Sequence, residues 1–323
     1  MGGGEGEGGA RRITVERIEQ AAKAIPPVFQ HTPQYVCEPL AEALGAELTL
    51  KIETANPIRS FKGRGATWLL ANVAGREPLL CASAGNFGQA MAWACRAAGV
   101  PLTVYAGTAA NPLKLERMRA MGAAVVLAGE DFDAAKAEAK RVAAERGVRF
   151  VEDSRDPEPT EGAGTIGLEL AAAGPFNAVV VPLGNGAMLA GMATALRDRL
   201  PAARIVAVQA SGAAAMTESL QSGRLVVHDR IETIADGIGV RVPVAEALAD
   251  LAGLVDEFLL VDDATILAAM KLLFADAGLV VEPSGAVGVA ALLAHPARFA
   301  GERVATVVCG GNLTPEQARA WLG

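Results

Sequence analysis

The chain has 323 residues, enough for about two domains. With 51% hydrophobic and 20% charged residues it reads as an ordered globular protein rather than a disordered one. Its 29 lysines and arginines against 36 acidic residues give a net charge of −7 with no long basic run, which argues against a dedicated nucleic-acid binder. Three widely separated histidines, His31, His228 and His295, form no HxxxH or HExxH pattern. A histidine-built metal site and a Ser-His-Asp hydrolase are both disfavoured, so any chemistry needs another acid, base or electron sink.

Taken in chain order, residues 1–10 (MGGGEGEGGA) lack the apolar segment of a signal peptide and read as a disordered tail. Short apolar runs then alternate with helical patterns. Strands are expected at Glu47–Ile52, Leu79–Ala82, Leu102–Ala106, Ala124–Leu127, Arg149–Glu152, Ala178–Pro182, Arg204–Gln209, Phe258–Val261 and Arg303–Cys309. Helical periodicity marks segments such as Lys114–Met121 and Phe132–Arg146. This alternation predicts an α/β chain of parallel sheets covered by helices on both faces, with a ligand site in the loops that leave the carboxyl ends of strands. The nearly uncharged stretch from Asn177 to Leu196 is about as long as a membrane span, but Pro182, Gly184, Asn185, Gly186 and Gly191 interrupt it. A buried strand, a tight loop and a helix fit better, and the expectation is a soluble, cytoplasmic protein with no membrane partner. The four cysteines form no CxxC pair; Cys37, Cys81 and Cys95 read as buried reduced thiols.

Four loops and one motif carry the chemical interest. Lys62 lies in Asn56-Pro57-Ile58-Arg59-Ser60-Phe61-Lys62-Gly63-Arg64-Gly65-Ala66, at the start of a predicted helix. A cation there opposes the helix dipole, and Arg59 and Arg64 add positive charge nearby. Both effects favour the neutral amine that an imine-forming lysine needs, whereas the plain reading is a solvated surface lysine. Leu80–Ala90 runs strand, small-residue turn (Ser83, Ala84, Gly85), then helix from Asn86 and Phe87. Its backbone N–H groups suit a carboxylate, although a ligand-free capped connection has the same pattern. Gly162-Ala-Gly164-Thr-Ile-Gly167 matches GxGxxG, but it follows a loop containing Pro157 and Pro159, and no acid stands between Glu169 and Asp198 to hold a ribose. It reads as a glycine-rich helix start, not a dinucleotide site. Val181–Leu189 is again strand, glycine turn, helix; without GK[ST] it suits a monophosphate better than a nucleotide. Val308-Cys309-Gly310-Gly311-Asn312 ends the last strand on polar groups.

Together these segments resemble the fold-type II pyridoxal-phosphate enzymes, in the branch of the threonine/serine dehydratases and serine racemases. The carrying residues are Ser60–Ala66, Ser83-Ala84-Gly85-Asn86, Gly164–Glu169, Ala235-Asp236-Gly237, Glu282-Pro283-Ser284-Gly285-Ala286 and Cys309–Asn312, in the family's order from His31-Thr32-Pro33 onward. The resemblance implies two domains, each a mostly parallel twisted sheet with helices on both faces. Residues 11–72 and 153–323 would form a large cofactor-binding domain, and residues 73–152 a small mobile substrate domain. It implies pyridoxal 5'-phosphate held by an imine link to Lys62, with Phe61 against the ring, Asn86 on the ring hydroxyl and Gly237 beside the cofactor. Gly184, Asn185, Gly186, Ala187 and Met188 would take the phosphate, and Cys309 would face the pyridine nitrogen. Ser83, Ala84, Gly85, Asn86 and Phe87 would hold the substrate carboxylate. The implied activity is β-elimination of a hydroxy-amino acid, L-threonine or L-serine, to a 2-oxo acid and ammonia by a homodimer, with β-replacement, threonine synthase or racemase chemistry as alternatives on the same scaffold.

The departures from the family pattern refine this. Asn185 and Ala187 replace two glycines of the phosphate loop, and Phe87 stands where histidine is common. Ala84 occupies the position where racemases carry a serine acid/base, which predicts a one-base enzyme. Gln209, Ala214 and Ala215 stand where metal-binding members carry carboxylates, so no essential metal is expected there. The chain stops soon after Asn312, so the regulatory domain of biosynthetic threonine deaminases is not expected.

Overall fold

β-Branched and leucine-rich runs place strands at β1 Gln34–Val36, β2 Glu47–Ile52, β3 Leu79–Ala82, β4 Leu102–Ala106, β5 Ala124–Leu127, β6 Arg149–Val151, β7 Ala178–Pro182, β8 Arg204–Ala210, β9 Glu257–Val261 and β10 Arg303–Val308. The structure is a computed structural model that describes residues 11–323; the segment 1–10, read as a tail, lies outside the described residues. Two sheets result, one of six strands in the order β1-β2-β10-β7-β8-β9 and one of four in the order β5-β4-β3-β6. Every pairing is parallel except that of β1 with β2. Nine strands match the sequence expectation to within one terminal residue. β1 was not expected: it has only three residues, and Tyr35 and Val36 are exposed at the edge, so no apolar run announces it.

Both sheets are covered on both faces, and the strands divide their side chains with period two. In β7, Ala178 and Val180 enter one core and Val179 and Val181 the other; in β10, Val304 and Val308 oppose Ala305 and Val307. In β3, Leu79 and Cys81 face one small-sheet core while Leu80 and Ala82 face the second. All four cysteines are free and buried. The stretch Asn177–Leu196 divides into β7, a loop and the helix Ala187–Arg199, and among the described residues no helix is long and apolar enough to cross a membrane.

One expectation changes. Pro157 and Pro159 do not lie in a loop: they occupy the first turn of a helix, Pro157–Ala171, where a missing N–H costs nothing. The GxGxxG glycines therefore sit inside this helix, and their purpose is close approach. A Cβ on Gly162 would lie 2.6 Å from Gly65 Cα, one on Gly164 2.9 Å from Gly191 O, and one on Gly167 2.8 Å from Met192 O. Gly162 lets the Lys62–Ala71 helix press against one side of this helix, and Gly164 and Gly167 let the Ala187–Arg199 helix press against another. The Pro157–Ala171 helix thereby fixes the relative position of two helices whose first turns both belong to the site.

Candidate active site

The site assembles at the carboxyl ends of β3, β7 and β10. Asn56 organises the approach to Lys62: its Oδ1 accepts from the N–H groups of Ile58 (3.1 Å) and Ser60 (3.4 Å), and its Nδ2 donates to the carbonyls of Glu53 (2.7 Å) and Ser60 (3.0 Å). The folded loop then runs along the end of β10. Ser60 forms an antiparallel bridge with Gly310, Phe61 N–H donates to Cys309 O (3.1 Å), and Gly311 N–H donates to Arg59 O (3.0 Å). Lys62 thus opens its helix directly against the strand-end segment Cys309-Gly310-Gly311-Asn312. Its ammonium lies 2.5 Å from Asp153 Oδ2 and 4.5 Å from the centre of the Phe61 ring.

The three cations of this segment part company. Arg64 is fully buried and bonded to Glu53 (2.8 Å through both Nε and Nη2), Glu169 (2.6 and 3.0 Å) and Thr165 (2.9 Å). Lys51 completes this network through Glu169 at 2.5 Å. Burial disfavours the Arg64 charge, but Glu53 and Glu169 outweigh it and hold the guanidinium well above its usual range. Arg64 therefore does not place its charge beside Lys62, as its closeness in sequence implied. A carboxylate, Asp153, stands there instead, and its other oxygen, Oδ1, is buried without a partner among the described residues. Arg59 stays exposed at φ +52, in the left-handed region that costs a residue with a Cβ roughly 1–2 kcal/mol. Ser154, next to Asp153, is likewise left-handed (φ +68), and its buried Oγ also lacks a partner.

The second loop is set by Ser83, whose buried Oγ accepts from Gly85 N–H (3.2 Å) and Gly88 N–H (3.0 Å). Ala84 and Gly85 are half-buried between them, and Asn86 opens the helix Asn86–Ala98. Asn86 Nδ2 donates to Glu282 Oε1 (2.6 Å), and its Oδ1 accepts from Asn312 Nδ2 (2.8 Å). Phe87 is buried in the core cluster that also contains Ile58 and Met91.

Gly184, Asn185, Gly186, Ala187 and Met188 join β7 to its helix. Gly186 is the N-cap at φ +99, a conformation that requires glycine, and the side chains of Leu251, Ala247 and Met216 close around it. Asn185 Oδ1 is buried without a partner among the described residues. Gly237 lies beyond: a Cβ on Gly184 would be 3.3 Å from its carbonyl, and one on Gly237 would be 2.7 Å from Ser284 Oγ, a buried hydroxyl with no partner. Cys309 Sγ lies 3.4 Å from Ser284 O, and burial, reinforced by Glu282, pushes its thiol up. Met188 and Phe61 share one core cluster with Cys309. Lys62, Asn86, Gly184, Gly237 and Cys309 are therefore linked through a continuous run of contacts.

Sequence reading missed the polar frame around these residues. Glu282 is buried, and burial, with Asp236, holds its carboxyl above the usual range. It binds Asn86 and the Asn312 N–H (3.1 Å), and Gly310 has no room for a Cβ against its Oε1. Arg117 Nη1 donates to Asn312 Oδ1 (2.9 Å), and Lys114 pairs with Asp236 (2.7 Å), both reaching from the four-stranded side. Glu282 and Asn312 lie within recognisable motifs; Asp153, Lys114 and Arg117 gave no signal. At the position read as metal-free, Gln209 Oε1 accepts from Thr217 N–H (3.0 Å) and Oγ1 (2.9 Å). No cluster of metal-ligating side chains occurs among the described residues.

The residues present fit a phosphorylated carbonyl cofactor. A glycine-capped helix start offers N–H groups to a phosphate. Orphaned buried oxygens on Asn185 and Ser284 line the way to Cys309, and an amine stands at the other end. Comparison with known proteins agrees. The family model of pyridoxal-phosphate dependent enzymes matches residues 25–310. An L-threonine ammonia-lyase of Thermotoga maritima is 35% identical over 305 residues, covering 93% of this chain and 76% of that protein. A crystal structure of a threonine deaminase from T.th. aligns with a TM-score of 0.87 at 33% identity, over 93% of this chain and 99% of that one. Maize serine racemase aligns with a TM-score of 0.88 at 26% identity, over 95% and 96%. The chain belongs to the pyridoxal-phosphate dependent enzymes, built on their fold type II scaffold.

Proposed function

We propose that this enzyme is an ammonia-lyase of hydroxy-amino acids, with L-threonine and L-serine as the simplest substrates. Lys62 would tether the cofactor through its amine, and the same amine, when free, would take the Cα proton of the substrate. The Ser83–Phe87 turn holds the substrate carboxylate through its N–H groups. The Gly184–Met188 loop would hold the cofactor phosphate, Asn86 and Gly237 would hold its ring hydroxyl, Phe61 would pack against its ring, and Cys309 would meet its nitrogen. The cofactor, when bound, supplies an electron sink for the charge developing at Cα. Burial keeps the Cys309 thiol neutral, so it would bring no negative charge to a ring nitrogen placed against it.

The observation that carries the lyase reading is the pairing of Lys62 with Ala84. Lys62 can take up a Cα proton, and the position at which racemases of the family carry a serine holds only the methyl group of Ala84, so proton delivery from two faces lacks its second donor there. The relatives named as threonine ammonia-lyase and threonine deaminase support the same reading. We further place the enzyme in the cytoplasm as a homodimer, with residues 73–152 as a small domain that closes on the rest through the Lys114–Asp236 and Arg117–Asn312 contacts.

Holoenzyme incubated separately with L-threonine and L-serine is expected to release 2-oxo acid and ammonia in equal amounts. A band near ~400 nm that borohydride bleaches should be present in the wild type and absent from Lys62→Ala. Interconversion of L- and D-serine without oxo acid would overturn the lyase reading.

A further inference from the structure

Arg59 and Arg117 stand apart from the other cations of the site. Lys62 has Asp153, Lys114 has Asp236 and Arg64 has Glu53 and Glu169, whereas neither Arg59 nor Arg117 has a carboxylate partner among the described residues. Arg117 is held at the site by its side chain and Arg59 by its backbone. The Arg59 carbonyl accepts from Gly311 N–H three residues before Lys62, and Arg117 reaches Asn86 through Asn312, by links of 2.9 and 2.8 Å. Arg59 keeps a bulky side chain at φ +52, where glycine would sit without strain. The two guanidiniums also feel each other: burial first and then the Arg59 charge lower the Arg117 pKa. A strained arginine that repels its neighbour harms the fold unless something anionic comes between them.

We infer that Arg59 and Arg117 receive a second carboxylate on the side chain of the amino-acid substrate, so that the preferred substrates are acidic β-hydroxy-amino acids such as 3-hydroxyaspartate. This rests on the lyase reading for its chemistry and on the arginine geometry for its specificity. The reaction needs no co-reactant: the Cα–H and Cβ–OH bonds break, water leaves, and water taken up in hydrolysis releases ammonium, giving a 2-oxo dicarboxylate. Guanidinium forks match a carboxylate in two bonds, whereas a neutral side chain leaves both charges without a counterpart.

The test measures kcat/KM of the holoenzyme for L-threo-3-hydroxyaspartate, L-serine and L-threonine, and Kd for L-aspartate and L-alanine, which lack a leaving group. The wild type should prefer 3-hydroxyaspartate to serine. In Arg59→Gly, which suits the backbone, the preference should fall about tenfold or more, mainly through KM, and the preference for aspartate over alanine should fall in parallel. Arg59→Lys should restore part of both, which a purely structural residue would not do. If serine is turned over and neither preference moves in Arg59→Gly or Arg117→Gln, the inference fails while the lyase reading stands. If no substrate yields an oxo acid but the aspartate preference still falls, the lyase reading fails and the carboxylate receptor stands.

Discussion

The helix that begins at Lys62 separates two kinds of cation two residues apart. Arg64 points back into a network with Glu53, Glu169, Thr165 and Lys51 from which water is excluded; Lys62 points forward to Asp153, with both side chains 17% exposed. A buried pair stabilises only when every partner is present, and removing one leaves a charge with nowhere to go. A partly exposed pair at a site contributes little to the fold and can be exchanged for a ligand. The same turn of helix therefore anchors the scaffold on one face and remains free for chemistry on the other.

The sharpest way to break this contrast is to exchange the effects. Lys62→Ala should lower kcat for oxo-acid formation by about 10²–10⁴-fold or more, because both tether and base are lost. The denaturant midpoint of its apoenzyme should fall less than that of Arg64→Met, since a partly exposed pair contributes only ~0–1 kcal/mol. Arg64→Met should do the reverse first: Glu53 and Glu169 lose their common partner, and stability should fall by about 3–5 kcal/mol. A chemical melt of the apoenzymes showing Lys62→Ala as the less stable of the two would refute the division.

A gentler probe is pH. Against the upward push of burial, Arg64 and Lys51 hold the Glu169 carboxyl down at about 2, compared with 4.5 for the free group. A carboxyl lowered in the folded chain stabilises it fully above its unfolded value, and that contribution drains away as pH falls from ~4.5 toward ~2. Glu169→Gln should be less stable at neutral pH and should lose less on acidification over that window. Parallel acid-unfolding curves for the two proteins would mean that the network carries no such linkage.

Much of this was legible because it is periodic. Strands buried on both faces announce themselves as apolar runs, and nine were placed to within a residue at their ends; β1 escaped because a three-residue edge strand with Tyr35 and Val36 in solvent has no buried face to show. The glycine loops after β7 and β10 and the lysine loop could be read from local chemistry, since a Gly186 at positive φ or a helix opening on a cation is a property of a few neighbouring residues. The partners could not. Asp153 meets Lys62 across 91 positions and Glu282 meets Asn86 across 196, and no local rule couples them. The GxGxxG segment shows the same limit: its context spoke against a pyrophosphate site, but the helix crossings its glycines serve became visible only through the neighbouring Gly65 and Gly191.

The smallest expected effect concerns Ser154, where scaffold and site meet. It adjoins Asp153, holds a left-handed backbone at φ +68 and buries an Oγ with no partner. Each feature opposes folding, and both vanish in Ser154→Gly, which accepts the backbone and has no hydroxyl to desolvate. The larger freedom of glycine in the unfolded chain offsets part of the gain, so the net stabilisation should be about 1 kcal/mol, read as a rise in the Tm of the apoenzyme. If Ser154 merely fills space, the cofactor should bind the variant as tightly as wild type. If its hydroxyl serves the site beside Lys62 and Asp153, the apoenzyme should gain stability while cofactor affinity falls. That opposition is expected of a residue retained at a cost to the fold.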